Sequence, residues 1–414
     1  WSFWDVTDDN VFAELAHNFN EDWQLTTVYR YAEMDENSEL FYQFGTPDMS
    51  TEQGMFAWPG IYDTNLKQHM LDTYLSGKFA LGGRQHELVA GVSLAKSDLQ
   101  EKEKEAPISY GYPAIGNFEH WNGNIAGPHY IPGSGADFTD KEKALYGAVR
   151  WQLADPLTLI TGARVVNWES EGDSYDGPQN SKETGTTIPY AGLVYDIDEN
   201  WSTYASYTET FMPQGERDAA LNRLAPTEGN SKEIGVKSAW FDNRLNATFA
   251  VFDAKYAGIA EWAGYVGIEA VYAADDFYSN GYEMELAGEL APGLEATIGY
   301  TALSIQDKNG SDARTYIPTE MLRTSASYRL PQLEAMKVGA SLNWQDTIKR
   351  PNGFVTQDSY VLLDAFVSYD FSKNVSASLN VNNITGEKYL NSLMWDQAYY
   401  GAPRNVMASL TWKY

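Results

Sequence analysis

The 414 residues include no cysteine. Disulfides, thiol nucleophiles and Cys-ligated metals are therefore excluded. No stretch approaches ~18 consecutive apolar residues, so no helix of this chain is long and apolar enough to cross a bilayer. The opening Trp1-Ser-Phe-Trp lacks the basic and apolar regions of a signal peptide, and the chain reads as a mature protein or a fragment. Positive charge is scarce: 29 Lys and Arg stand against 57 Asp and Glu, a net charge of −28. That balance argues against nucleic acid as a partner. No 20–50-residue repeat is present, which argues against a propeller.

Aromatic side chains, by contrast, make up 14% of the chain, with 28 Tyr and 13 Trp. Such a surplus suits interfacial belts or aromatic binding surfaces. The mean hydropathy of −0.43 looks soluble. It is equally compatible with a membrane barrel, where only alternate strand residues meet lipid.

Period-2 alternation is clearest at the C-terminal end. Val375, Ala377, Leu379 and Val381 face one way, and Ser376, Ser378, Asn380 and Asn382 the other. Val406, Ala408, Leu410, Trp412 and Tyr414 repeat the pattern to the last residue. Leu88, Ala90, Val92 and Leu94 form another apolar face, as do Leu245, Ala247, Phe249 and Val251. Trp240, Phe241, Tyr369 and Phe371 adjoin short turns, where an aromatic girdle belongs.

Turn chemistry sorts the connections by parity. Short turns are predicted at 18–21, 82–85, 154–157, 198–200, 242–244, 291–293, 331–335 and 372–374 from their Asn, Asp, Gly and Pro. Long connections are expected at 45–65, 97–142, 171–185, 211–229, 306–319, 347–358 and 386–400. Short and long connections on opposite ends are the pattern of an outer-membrane barrel, whereas a sandwich does not sort its loops this way. The expected fold is all-β: an antiparallel up-and-down transmembrane barrel with about 17 strands, short periplasmic turns and long extracellular loops.

Several segments carry a family resemblance. They are GMFAWPGIYDTNLKQHMLDTYLSGKFALGGRQHELVAGVSLAKS from Gly54, YASYTETFMPQ from Tyr204 and PTEGNSKEIGVKSAWFDNRLNATFAVFDAKYAGIAE from Pro226. SNGYEMELAGELAPGLEATIGYT, YIPTEMLRTSASYRLP, LNVNNITGEKYL and YYGAPRNVMASLTWKY follow in order. Together these resemble the barrel of TonB-dependent ferric-siderophore receptors, especially the group importing hydroxamate and pyoverdine-like chelates. The resemblance implies an outer-membrane receptor of a Gram-negative bacterium that imports a ferric siderophore, not an enzyme. It implies about 22 strands, a plug domain and an energy-coupling box, and the last two have no counterpart within residues 1–414. Residues 1–414 are thus expected to form one incomplete barrel domain lacking the plug and first strands. Implied partners are the ferric siderophore, the TonB complex through the absent N-terminal part, outer-membrane lipid, and the barrel assembly machinery through the aromatic-ended last strand. A monomer is expected, with no cofactor and iron only as chelated cargo. The alternatives are a passive porin-like channel, a TonB-dependent receptor for a non-siderophore ligand, and a barrel enzyme, for which no persuasive catalytic set exists.

A ferric siderophore is coordinatively saturated and calls for aromatic faces and a few donors rather than metal ligands. The candidates on the long-loop side are Trp58, Tyr62, Trp121, Tyr130, Trp262, Tyr265, Trp395, Tyr399 and Tyr400. Arg217, Arg223, Arg350 and Arg404 suit an anionic chelate. Glu119, His120 and His129 fit no zinc spacing, and the run from Glu101 to Glu105 reads as a solvated charge stretch.

Overall fold

A computed structural model describes every residue except 49, 119, 176, 268, 352, 354, 395–398 and 414. Trp395, Glu119 and Tyr414 therefore lie outside the described residues. The chain divides into two compact units, residues 1–150 with 162–189 and residues 151–161 with 190–414.

In chain order the strands are β1 (Phe3–Asn18), β2 (Trp23–Asp48), β3 (Gln53–Leu81), β4 (Arg84–Glu105), β5 (Ile131–Ala154), β6 (Leu157–Ser174), β7 (Gly177–Pro178) and β8 (Ser181–Asp196). There follow β9 (Trp201–Met212), β10 (Thr227–Trp240), β11 (Leu245–Val266), β12 (Glu269–Ala291), β13 (Leu294–Asp307), β14 (Glu320–Arg329) and β15 (Met336–Gln345). The last are β16 (Ile348–Lys349), β17 (Thr356–Gln357), β18 (Tyr360–Asp370), β19 (Val375–Asn382), β20 (Leu390–Ser392), β21 (Tyr399–Tyr400) and β22 (Asn405–Trp412). Eighteen of them form one sheet, while β16–β17 and β20–β21 are separate two-stranded ribbons. Leaving aside the two-residue β7, 17 strands of substance remain in the sheet, as the sequence predicts.

All eight predicted short turns are present between consecutive strands. The loops at 97–142, 211–229, 306–319, 347–358 and 386–400 are also found, with trimmed ends. Two predicted loops are corrected. Residues 45–65 lie mostly within the β2–β3 hairpin, and residues 171–185 within β6, β7 and β8. No long connection is expected between β11 and β12, and none is found: the strands continue to Val266 and from Glu269, leaving two residues between them. Gly, Pro and Asp in these stretches imitate loops, but ladder pairing satisfies the backbone. Pro59 shows how. It lies just beyond the end of β4, which stops with Glu105 opposite Gly60, so its missing N–H interrupts no ladder on that side. Two residues earlier, the Ala57 N–H is taken up by Pro113 O at 3.0 Å.

Register fixes two faces, because directly paired residues point the same way. In the second unit, Val236, Phe249, Met284, Tyr300, Leu322 and Trp344 stand side by side. One residue along, the opposite face reads Lys237, Thr248, Glu285, Gly299, Arg323 and Asn343. Phe249 and Met284 are exposed even though apolar, as lipid-facing residues are. The first unit behaves alike. Thr27, Thr73, Val92 and Leu145 share the apolar face, and Val28, Asp72, Ser93 and Ala144 the polar one. There the Tyr146 hydroxyl donates to Asp72 Oδ1 at 2.9 Å. Aromatics cluster at the short turns: Trp201 meets Trp240 edge-on at 5.5 Å, and Tyr369 meets Phe371 at 5.0 Å.

Ile298 and Thr297 test this assignment because they are chain neighbours on opposite faces. Ile298→Lys is expected to destabilise the protein in phospholipid vesicles by ~2–4 kcal/mol. Thr297→Lys should change stability by less than about 0.5 kcal/mol. Denaturant unfolding of the two variants, side by side, measures the difference.

Candidate functional site

The first unit carries β2 and β3 well beyond the apolar rows, and this long hairpin displays aromatic residues on both faces. Tyr42 pairs with Trp58, Phe44 with Phe56 and Ser38 with Tyr62, so these residues share one face. That face is continuous with the polar face below it, since it has the parity of Val28 and Asp72 with no register shift between. Trp58 packs edge-on against Phe44 at 5.6 Å and against Tyr112 at 5.9 Å, and it remains half exposed. Tyr112 comes from the loop after β4, which the Phe56–Ala114 bridge and the Ile115 N–H bond to Met55 O (3.0 Å) hold against β3. The hairpin tip depends on glycine: Gly45 has φ +118°, and a Cβ there would lie 2.1 Å from Gly54 O. Asp48 closes the turn by accepting from the Ser50 hydroxyl (2.6 Å) and N–H (2.8 Å), which holds its carboxyl below the usual range.

Glu36, Glu101 and Glu103 lie on this same face. The Glu101–Glu105 stretch is therefore not a uniformly solvated charge run, because alternation sorts it by sign. Glu101 accepts from Thr64 Oγ1 at 2.8 Å, whereas on the other face Lys104 lies 3.6 Å from Asp63. Burial, and next the charge of Glu103, pushes the Tyr62 phenol well above its ordinary value.

Trp121 and Tyr130 lie on the opposite side of the hairpin. Trp121 stacks on Phe41 at 5.1 Å, and Phe41 meets Trp1 edge-on at 5.6 Å. Tyr130 donates to Glu39 Oε1 at 3.0 Å. Its phenol is pushed up by burial first and by this bond second. The four first-unit candidates thus fall two to a face, Trp58 and Tyr62 on one and Trp121 and Tyr130 on the other.

In the second unit, Trp262 and Tyr265 touch edge-on at 5.9 Å and are exposed. They oppose Tyr272 and Ala270, which have the parity of Tyr282 and Met284 on the apolar face. Two register shifts in β11, at Tyr256/Ile259 and Trp262/Gly264, place them there. On the polar face of the same hairpin, Arg314 bonds Glu261, donates to the Tyr316 hydroxyl at 2.7 Å and lies 4.5 Å over the Phe277 ring.

The candidate arginines take part in loop architecture. Arg217 is buried; it bridges to Arg223, and its carbonyl accepts from Tyr272 N at 2.8 Å. Arg223 bonds the Gln214 carbonyl, the Arg350 N–H bonds Val355 O at 3.0 Å, and Arg404 reaches Ile384 O at 3.3 Å. Tyr399 and Tyr400 are exposed on the β20–β21 ribbon, with the Lys388 ammonium 4.6 Å from the Tyr400 ring. Among the described residues no group of three or more His, Asp or Glu is placed to hold a metal ion.

Sequence reasoning missed Tyr42, Phe44, Phe56, Tyr112, Arg314 and Phe277. The signal for the first three was Tyr42 and Phe44 alternating ahead of Phe56 and Trp58, a strand periodicity that begins before the stretch read as a loop at 45–65 and continues inside it.

A family model described as TonB dependent receptor-like, beta-barrel, matches residues 1–384. The ferric-pyoverdine BN7/BN8 receptor of Pseudomonas putida is 32% identical, the match covering 100% of this chain and 52% of that protein. The ferripyoverdine receptor of Pseudomonas aeruginosa is also 32% identical with the same coverage. The crystal structure of the Pseudomonas aeruginosa outer-membrane ferripyoverdine receptor bound to ferripyoverdine superposes with a TM-score of 0.90, covering 100% of this chain and 57% of that one. The chain spans about half the length of the relatives it matches.

The raised phenols give a pH signature. Tyr62 and Tyr130 bind their protons more tightly when folded, so their stabilising contribution is complete below the ordinary tyrosine range near ~10 and is lost as pH rises above it. The β2–β3 hairpin is expected to gain protease sensitivity in that alkaline window. Replacing both residues by Phe should remove their late-ionising component from the phenolate absorbance titration.

Proposed function

This chain belongs to the TonB-dependent receptor-like β-barrel family, and from that membership we propose that the intact protein imports a ferric siderophore across the outer membrane. The observation that carries the reading is the aromatic group around Trp58 and Tyr62. It lies on the polar, lumen-side face, beyond the last apolar rows, where incoming cargo first meets the protein. A chelate whose iron is already saturated presents conjugated and amide surfaces, which aromatic faces and phenol donors can hold without entering the coordination sphere. Two relatives named for ferric-pyoverdine support this class of cargo. Iron is cargo here, and no bond-breaking chemistry is assigned to the protein.

The remaining part of the full-length protein, by the length of its relatives, supplies the plug and the segment that engages the TonB complex. The polar face has room for a plug surface near the short turns. A cavity of about 400 Å³ there is lined by short polar side chains including Thr297, Ser325, Ser327 and Ser341. A porin-like channel is the competing reading, and single-channel conductance of the full-length protein separates the two: a plugged receptor stays closed, and a steady ohmic pore overturns import by gating.

Deletion of the intact gene is expected to abolish uptake of the cognate ferric siderophore in cells with no redundant receptor. At the residue level, Trp58→Ala in the full-length receptor should raise the Kd for a ferric pyoverdine about tenfold. Trp262→Ala, on the apolar face, should change it less than twofold. Equal effects of the two would remove the face assignment while leaving the cargo class intact.

A further inference from the structure

We propose that the apolar face of β3, β4 and β5 carries a binding site for a phosphate-bearing lipid of the outer leaflet, centred on Lys96, Lys141 and Lys143. Three consecutive rows define it. Thr27, Thr73, Val92 and Leu145 form an apolar row. The next row reads Tyr29, Leu71, Leu94 and Lys143, and the one beyond it Tyr31, His69, Lys96 and Lys141. Apolar side chains thus give way within two residues to a cluster of cations, on a chain whose net charge is −28. From Leu88 to Lys96 is eight residues, about 20 Å of depth at the usual rise and a ~40° tilt. That places the lysines at headgroup level with the acyl region below them.

The surface is shaped as well as charged. A groove of about 270 Å³ runs between Leu71, Leu94 and the three lysines, and Tyr29 and His69 close its β2 side through a 2.9 Å hydrogen bond. The acids facing it are engaged. Asp98 holds Lys96 at 2.7 Å and accepts from Thr139 at 2.6 Å, and Glu171 holds Lys141 at 3.1 Å. Glu169 is paired with Lys182 at 3.0 Å, and Glu142, which shares the parity of Ala144 on the polar face, is paired with Arg164. Lys143 is exposed in the leucine row, with Glu169 acting on it only at longer range. An ammonium in a lipid-facing row is costly unless an anion meets it there, and a phosphorylated headgroup above packed acyl chains supplies one. Lys96 and Lys141 can each add a second hydrogen bond to the same phosphate. The site rests on the outer-membrane placement of the barrel and is independent of the cargo, because its readout is bound lipid.

The test uses the full-length receptor in nonionic detergent, titrated by native mass spectrometry with bisphosphorylated lipid A and with the same lipid dephosphorylated. We expect a bound bisphosphorylated lipid, and at least tenfold weaker binding for the dephosphorylated form. The K96Q/K141Q/K143Q variant should lose binding to the same extent, and K96R/K141R/K143R should keep it. Heat-modifiable gel mobility verifies that each variant is a folded barrel; should the triple Gln variant not fold, K143Q and the dephosphorylated lipid decide. Equal binding of the two lipids, equal binding by the Gln variant, or displacement by millimolar inorganic phosphate alone would overturn the proposal.

Discussion

The constraint on which everything here depends is that backbone N–H and C=O groups in lipid must pair with one another. A strand cannot do this alone, so each strand of the sheet is committed to its neighbours by continuous ladders such as the 16 residue pairs of β1 and β2. Once the ladder is fixed, side-chain alternation follows without further choice, and one face must suit lipid while the other suits water and protein. The rows around Phe249 and Thr248 are this rule written across six strands. Stability then needs no thick core. Large apolar residues such as Ile234 and Leu410 stand exposed because the solvent they face is hydrocarbon.

The same ladder continues past the membrane. β3, at 29 residues, and β2, at 26, exceed the ~9–11 residues that a crossing requires. Their outer halves form a stiff support for Trp58 and Tyr62, which loops from elsewhere in the first unit cover and brace. In the proposed role, placing Trp58 and Tyr62 on strands rather than on free loops lowers the ordering cost of binding a large, rigid chelate.

What could be read from the residues was whatever short-range chemistry decides. The short turns were legible because Asn, Asp, Gly and Pro specify them locally, as in Asp198, whose carboxylate caps the N–H groups of Asn200 and Trp201 at 2.8 and 2.9 Å. The mid-membrane strands were legible from alternation. The outer ends of β2, β3, β6 and β8 were not, since glycine, proline and aspartate there signal loops and only pairing partners distant in sequence reveal strands. The candidate site was legible in type and not in grouping. That aromatics gather at the long-connection end follows from composition and position; that Trp58 and Trp262 sit on opposite kinds of face depends on register, and in β11 on the first of two bulges that composition does not announce.

Those bulges have a consequence for how such receptors diversify. A strand's period of two makes its face assignment behave like a reading frame. Loss or gain of a single codon at the Trp262/Gly264 irregularity shifts the frame for the segment between it and the tip at Val266. Tyr265 would then turn toward the water-filled side and its neighbour would take its place. The aromatic surface can therefore be rewritten by a one-residue indel that substitutes no other residue and leaves the membrane-spanning rows untouched.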